Sequence, residues 1–575
     1  MNYNDLMKNL GKDYTNLRKH RIGLLGDSAT QLLARALKCY GYEIGYNFDI
    51  WEADYDQIDG QVFNYDSDLY QFDPEYIIIF YSAQKLLKKF FSSEIRERPT
   101  FAEYMKDKIN SIYDVINSKL KCKIIFLNFF EINDAIFGNF ANKTEYAFLY
   151  QIRKLNFELM NLAQINKNMF ICDMSALLNT YGASYCVDSR MYVNADITLS
   201  IDFLPITAKS IADIILSISG NFKKCLILDL DNTLWGGIIG DDGIENIEIG
   251  NLGIGKAFTE FQLWIRELKQ RGIILAICSK NSEATAMEPF KSHPEMILKL
   301  DDIAIFVANW ENKVDNIRHI QQVLNIGFDS MVFLDDNPVE RDYVRNNFPA
   351  ITIPELPEDP STYLSYLRTL NLFETASYTK EDEQRSQQYR EEAQRIVTQS
   401  KYSNYDDYLA DLGMQSEVKK FDQYTIPRVA QLTQRTNQFN LRTIRYSEEE
   451  IQSISSSRDH ITISFTLEDK FGDHGLISAI ILNKRIDHLW IDTWIMSCRV
   501  FKRGMEYFVM NNIVKMAKEN GLKYIFGEYI PTAKNSIVDN LYESLGFSKS
   551  DKGENLYHLT VENYPELKSF IKLKN

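Results

Sequence analysis

Histidine is scarce in this chain of 575 residues: there are seven, and none lies between His20 and His293. From Arg21 to Ser292 the chain therefore offers no imidazole as a general base. The seven cysteines are scattered without paired spacing, so neither a zinc site nor a disulfide framework is indicated. No run of about 18 apolar residues occurs, and no basic-plus-apolar leader opens the chain. Positive charge is also in deficit, with 64 Lys and Arg against 79 Asp and Glu, a net charge of −15. That balance argues against non-specific binding to nucleic acid or to an anionic membrane. The expectation is a reduced, cytoplasmic protein with no nucleic-acid and no membrane partner.

An apolar fraction of 45% and a charged fraction of 25% are ordinary for globular domains. The length calls for three or four of them. Short apolar strands alternate with helices over the first two thirds, which predicts an α/β, multidomain chain. Expected boundaries are 1–220, 221–360, a helical linker or brace over 361–401, and 402–575. Pro354, Pro357 and Pro360 mark the second boundary, and the charged stretch Lys380 to Val397 follows it.

The most informative run is Cys225-Leu226-Ile227-Leu228-Asp229-Leu230-Asp231-Asn232-Thr233-Leu234-Trp235-Gly236-Gly237. Four apolar residues read as a buried parallel strand. Asp229 and Asp231, two apart, point the same way from its carboxyl end, where open α/β sheets bind ligands. Paired carboxylates there suit a hard cation such as Mg²⁺, and supply a nucleophile and a proton carrier for phosphoryl chemistry. This run resembles the first motif of the haloacid dehalogenase (HAD) superfamily, Asp-x-Asp-x-Thr. Its extension through Gly240-Asp241-Asp242-Gly243 resembles the FkbH-like branch. The companions follow in order: Ser279 after the apolar run Ile273 to Cys278, Lys313 after Ala304 to Ala308, and Asp335-Asp336 after Met331 to Leu334.

The resemblance implies a role for each residue. Asp229 is the phosphoryl-accepting nucleophile and Asp231 the acid and base. Ser279 and Lys313 hold the transferring phosphoryl oxygens. Asp229, the Asp231 carbonyl, Asp335 and Asp336 form the Mg²⁺ site. The short insertion from Trp235 to Gly255 is too small for a large cap. The stripe Phe258, Phe261, Trp264, Ile265 and Leu268 reads as core packing on a helix that Gly272 ends.

The first block carries Gly26-Asp27-Ser28 after a strand, which resembles the nucleophile turn of SGNH hydrolases. The stretch where that family places its Asp-x-x-His reads Asp202-Phe203-Leu204-Pro205, so Ser28 has no base and the block is expected to be non-catalytic. The last block resembles a GNAT acyltransferase fold. Its Cys498-Arg499-Val500-Phe501-Lys502-Arg503-Gly504 loop stands where that family cradles pyrophosphate, although Lys502 occupies the first glycine position. Arg499, Arg503 and Gly504, with Asn535 and Tyr542, are the implied contacts to phosphopantetheine or acyl-CoA. Cys498, or else Cys278, is the candidate thiol for an acyl intermediate. The polar run Arg428 to Asn440 is a further candidate for binding a phosphorylated ligand. FkbH-like proteins are implicated in taking a glyceryl unit from 1,3-bisphosphoglycerate to an acyl carrier protein. The expected function is therefore a Mg²⁺-dependent HAD-type phosphatase and acyltransferase acting on a small phosphorylated substrate. Its alternatives are a phosphatase with binding-only flanking domains, or an acetyl-CoA-dependent acetyltransferase fused to a phosphatase.

Overall fold

The computed structural model describes residues 2–17, 19–379, 382, 385–399, 401–551, 553 and 555–574. The chain forms two compact units, Met1–Leu216 and Ser217–Asn575. In the first, β1 (Lys19–Gly26), β2 (Asn47–Glu52), β3 (Tyr76–Phe80), β4 (Lys123–Leu127) and β5 (Met169–Cys172) build a five-stranded sheet. Its order is β2-β1-β3-β4-β5 and every pairing is parallel, the doubly wound flavodoxin-like arrangement. Ile77, Ile78 and Ile79 are buried because helices cover both faces of such a sheet.

The second unit holds two sheets. β6 (Cys225–Leu228), β7 (Ile274–Ser279), β8 (Ile303–Ala308) and β9 (Met331–Leu334) pair in parallel in the order β8-β7-β6-β9. The helix Gly255–Gln270 packs Phe258, Phe261, Ile265 and Leu268 into the core on one face of this sheet. Gly272, at φ +96°, ends it in a backbone region that side chains disfavour. The other, mixed sheet holds β10 (Gln415–Ser416), β11 (Val418–Lys419), β12 (His460–Asp469), β13 (Gly472–Lys484), β14 (His488–Met496), β15 (Tyr524–Glu528), β16 (Ser548–Lys549), β17 (Leu556–Thr560) and β18 (Lys572–Leu573). β12, β13 and β14 are antiparallel neighbours, whereas β14 and β15 run parallel, from His488 beside Tyr524 to Ile491 beside Gly527. Beyond that pair the two strands separate, leaving a splay between them.

The helix Arg385–Gln399 joins the two sheets, and it is more buried than its charged composition indicates. It packs against β7, β8 and β13. Tyr389 enters the core under β6 and β7, while the guanidinium of Arg395, fully buried, donates to both carboxylate oxygens of Asp469 at 2.7 and 2.8 Å. A bidentate buried pair is stabilising only while both partners remain, and losing one costs about 3–5 kcal/mol. The element is a brace. No helix among the described residues is long and apolar enough to cross a membrane.

Candidate active site

The carboxyl edge of the β8-β7-β6-β9 sheet gathers the chemistry-bearing side chains. The Asp229 amide donates to Leu334 O at 3.0 Å, which carries the β6–β9 pairing one residue past the strand. The chain then turns sharply, with the amides of Thr233 and Leu234 both donating to Leu230 O. Asn232 sits in the turn at φ +54°, a conformation asparagine tolerates better than most residues. This turn leaves Asp229 and Asp231 on one side of the crevice.

Lys313 is the first residue of the helix Lys313–Leu324, whose N-terminus Asn312 caps. Its ammonium lies 3.0 Å from Asp229 Oδ2 and 2.6 Å from Asp335 Oδ2, with the side chain 3% exposed. Burial alone would lower its pKa, but the charges of Asp229 and Asp335 outweigh burial and raise it, so the cation is fixed. Burial and the Asp229 charge push Asp335 up to about 6, against the pull of Lys313. Asp336 is raised by burial and by Asp229 as well. Carboxylate oxygens of Asp229, Asp335 and Asp336 lie within 4.8 Å of one another. Three like charges facing one ammonium favour a divalent cation. The all-oxygen donor set fits Mg²⁺, and Asp229 Oδ1, buried with no hydrogen-bond partner, is an oxygen such an ion would satisfy.

Asp231 stands apart from that trio. Its Oδ1 accepts from Trp235 Nε1 and from the Ile239 amide, both at 3.0 Å, and its Oδ2 accepts from Asn281 Nδ2 at 3.2 Å. Burial raises its pKa against these bonds. A carboxyl held nearer its protonated form suits proton delivery. Ser279, buried, ends β7 on the same edge. The structure thus brings together Asp229, Asp231, Ser279, Lys313, Asp335 and Asp336.

Three supporting residues were not assigned roles from sequence. Thr233 Oγ1 accepts from the Asp336 amide at 3.2 Å and lies 3.3 Å from Asp336 Oδ1. Arg341 donates to the backbone carbonyls of Asp335 and Asp336 at 2.8 and 2.6 Å. Asn281 orients Asp231. The Thr of the first motif and the Arg of the fourth were visible signals; the partner of Thr233 comes from beyond another strand, whereas those of Arg341 lie five and six residues earlier in its own segment. Between Trp235 and Gly255 there is only the short helix Ile239–Asp242 and a bridge from Gly236 to Glu248, so no large cap covers the mouth. Cys278 is fully buried with its Sγ 3.9 Å from the Lys313 carbonyl, and burial pushes its thiol up, which suits a packed thiol better than a thioester carrier.

The residues expected to contact pantetheine have other partners. Arg503 is buried, its guanidinium against His474 Nε2 at 3.1 Å and in an ion pair with Glu392. Arg499 donates to Gln388 on the brace. Lys502 adopts φ +63° without being glycine, and Gly504, at φ +76°, precedes the helix Met505–Glu519. Asn535 donates to Asn440 O and Ile530 O, at 3.0 and 2.9 Å. Tyr542 is fully buried against Gly527, where a Cβ would meet its hydroxyl at 2.3 Å. The side chain of Cys498 lies outside the described residues.

The splay itself is filled by the chain's own segment Phe439 to Arg442. Met496 N donates to Phe439 O at 3.2 Å on the β14 side, and Ile530 N donates to Leu441 O at 2.8 Å on the β15 side. Arg442 stitches the fork, reaching Asp492 Oδ1 at 2.7 Å and Glu528 Oε2 at 2.8 Å. In the first unit, Ser28 Oγ is buried with no hydrogen-bond partner, and burial pushes the adjacent Asp27 up to about 7.

Residues 21–216 match the family described as FkbH, N-terminal domain. A crystal structure of the N-terminal part of protein BF1531 from Bacteroides fragilis, containing a phosphatase domain complexed with Mg, is 53% identical. The match covers 66% of this chain and 100% of that one, with a TM-score of 0.64. The ribosomal-protein-S18-alanine N-acetyltransferase of Escherichia coli aligns at 16% identity, over 26% of this chain and 98% of that one, with a TM-score of 0.21. Spermidine N-acetyltransferase of Vibrio cholerae, in complex with CoA and spermine, aligns at 12% identity over 26% of this chain and 98% of that one, with a TM-score of 0.21. No protein of curated function matches the chain.

Proposed function

Because the chain belongs to the FkbH-like proteins of the HAD superfamily, we propose that its phosphatase site acts on an acyl phosphate such as 1,3-bisphosphoglycerate and that the protein passes the glyceryl, or a similar hydroxyacyl, unit to an acyl carrier protein. The observation that carries the phosphatase part is the cluster of Asp229, Asp335 and Asp336 about the buried Lys313, with Asp231 held beside it by Trp235, Ile239 and Asn281.

In this reading a carboxylate oxygen of Asp229 attacks phosphorus. The new P–O bond forms as the bond to the leaving oxygen breaks, and Asp231 supplies that oxygen with its proton. Water then attacks the aspartyl phosphate, Asp231 takes its proton, and inorganic phosphate departs with Asp229 restored. Lys313 and Ser279 offset the charge on the transferring oxygens. Asp229, Asp335, Asp336 and the Asp231 carbonyl would hold Mg²⁺, which supplies further charge neutralisation. For the acyl half, a thiolate attacks the carbonyl carbon, the C–O bond to phosphate breaks, and a thioester remains.

The open mouth supports a bulky, tethered acceptor. Exposed apolar residues stand along it: Ile238 at 45%, Trp310 at 76% and Val339 at 71%. A second reading is favoured by the filled splay: a phosphatase on a small phosphorylated metabolite, with flanking blocks that only bind or assemble. An acetyl-CoA-dependent acetyltransferase is the least supported, since Phe439 to Arg442 occupy the path between β14 and β15.

Phosphate counting separates these readings. With holo-acyl carrier protein, each 1,3-bisphosphoglycerate should yield two phosphates, one of which disappears in Asp229→Asn. Release that ignores the carrier protein favours the plain phosphatase. Thermal stabilisation by coenzyme A alone favours the acetyltransferase.

A further inference from the structure

A cavity of about 480 Å³ lies inside the second unit, between the amino-terminal edge of the β8-β7-β6-β9 sheet and the GNAT-like block. Its position is set by Lys224, just before β6, by Ile274, which starts β7, and by Ser330, just before β9. The catalytic carboxylates leave the opposite ends of the same strands. The five residues from Lys224 to Asp229 place the two sites about 16 Å apart along β6. The cavity is therefore a second site.

Its lining is strongly cationic. Lys224, Arg428, Arg435, Arg499 and Lys534 contribute positive charge; within the fold Arg435 pairs with Asp382 and Lys534 with the lining carboxylate of Asp329 at 2.5 Å, while Arg428 and Arg499 donate to the neutral amides of Gln431 and Gln388. The charges come from three separate places: the phosphatase sheet, the helix Ile426–Arg435, and the two limbs of the splay. Asp329 is itself held below the usual carboxylate range, Lys534, Lys224 and Lys223 outweighing burial. Beside them Lys223 is pushed down to about 8 by burial, with Lys534 adding to the effect against Asp329. Asn437 and Gln438 add amide donors and acceptors to the wall.

We propose that this cavity binds a phosphate-bearing organic anion, with the arginine forks of Arg428, Arg435 and Arg499 and the Lys534 ammonium on the phosphate and the amides of Asn437 and Gln438 on its polar body. Guanidinium groups match phosphate oxygens in geometry as well as charge. The volume falls in the usual range for small-molecule sites, roughly 300–1,000 Å³. Two sources share this chemistry: a 4′-phosphopantetheine arm and a small phosphorylated metabolite. The proposal stands independently of the phosphatase reading, because it concerns the rear edge of the sheet. It also gives the polar run Arg428 to Asn440 two tasks, since Phe439 to Arg442 fill the splay while Arg428 to Gln438 line the cavity.

The test is calorimetric titration of the full chain, in EDTA and low salt, with 4′-phosphopantetheine, 3-phosphoglycerate and inorganic phosphate in turn. The protein carries Asp229→Asn and Lys313→Met, so that the front site is disabled. One equivalent of a phosphate ester should bind. Affinity should fall about tenfold or more in Lys534→Glu, the loss expected for one charge-assisted contact. Added salt should weaken binding further. Arg499→Gln is the second variant, and melting temperature checks that each protein is folded. Binding of phosphopantetheine alone identifies a carrier arm, and binding of phosphoglycerate alone identifies a metabolite. Absence of binding by both esters, or binding that neither variant weakens, overturns the proposal.

Discussion

Replacing Lys313 with methionine isolates the one cation inside the acidic cluster. Methionine keeps most of the side-chain length and volume and removes the charge. In the native protein the ammonium bridges Asp229 at 3.0 Å and Asp335 at 2.6 Å, at 3% exposure. Breaking a buried pair by deleting one partner costs about 3–5 kcal/mol, because the remaining charge is left uncompensated. Here two carboxylates lose their partner, so the upper part of that range applies without metal. Catalysis loses a fixed charge aimed at the transferring phosphoryl group, which is worth about a hundred- to a thousandfold in kcat. Urea denaturation in EDTA, followed by the same titration with saturating Mg²⁺, reads the first quantity. Turnover of acetyl phosphate reads the second. Mg²⁺ should stabilise Lys313→Met more than the wild type, since the ion then meets an uncompensated cluster. A variant with kcat within about threefold of wild type, or with an unchanged urea midpoint in EDTA, would refute the reasoning.

Further outcomes are expected. Asp231→Asn should slow hydrolysis of an alkyl phosphate ester by about a hundredfold or more, and an acyl phosphate far less, because a carboxylate leaving group needs little protonation; equal losses on both would remove Asp231 from the general-acid role. Folded His474 is pushed down to about 3 by burial, below its ordinary value near 6.5, so the unfolded chain binds a proton that the folded one rejects as pH falls. Stability should therefore drop by about 2 kcal/mol between pH 7 and pH 5, and His474→Asn should flatten that dependence in urea titrations. Arg442→Gln should loosen the fork between β14 and β15, read as faster amide exchange at Met496 and Ile530; unchanged exchange there would show that the segment is held by packing alone.

The phosphatase half was legible because each of its motifs sits directly after a run of apolar residues. Parallel strands buried on both faces are written as uninterrupted stretches such as Cys225 to Leu228, and the ligand-bearing residue comes next in sequence. The helix stripe from Phe258 to Leu268 was legible for the same reason, as periodicity is a local property. Thr233 was present in the motif, but its bond to Asp336 spans 103 positions and needs β6 and β9 to be neighbours. The brace was harder still. A charged helix reads as solvated, yet Arg395 is buried because its carboxylate partner arrives from β12. The GNAT-like block shows the other limit: its strand sequence was visible, whereas the insertion of Phe439 to Arg442 into the splay depends on backbone atoms that carry no residue signature. Lys502 illustrates this at one position, since it takes φ +63° where glycine is the usual choice, at about 1 kcal/mol.

The phosphatase edge and the rear cavity face opposite ends of one short sheet. An acyl unit handled at both would move on a tether or through solvent, and a carrier protein supplies the tether. Intact-mass spectrometry of the purified protein and a holo-acyl carrier protein, after incubation with Mg²⁺ and 1,3-bisphosphoglycerate, tests this most directly. The account predicts a glyceryl-sized gain on the carrier, together with release of two phosphates, one of which requires Asp229. Phosphate release with no mass gain on either protein would contradict it.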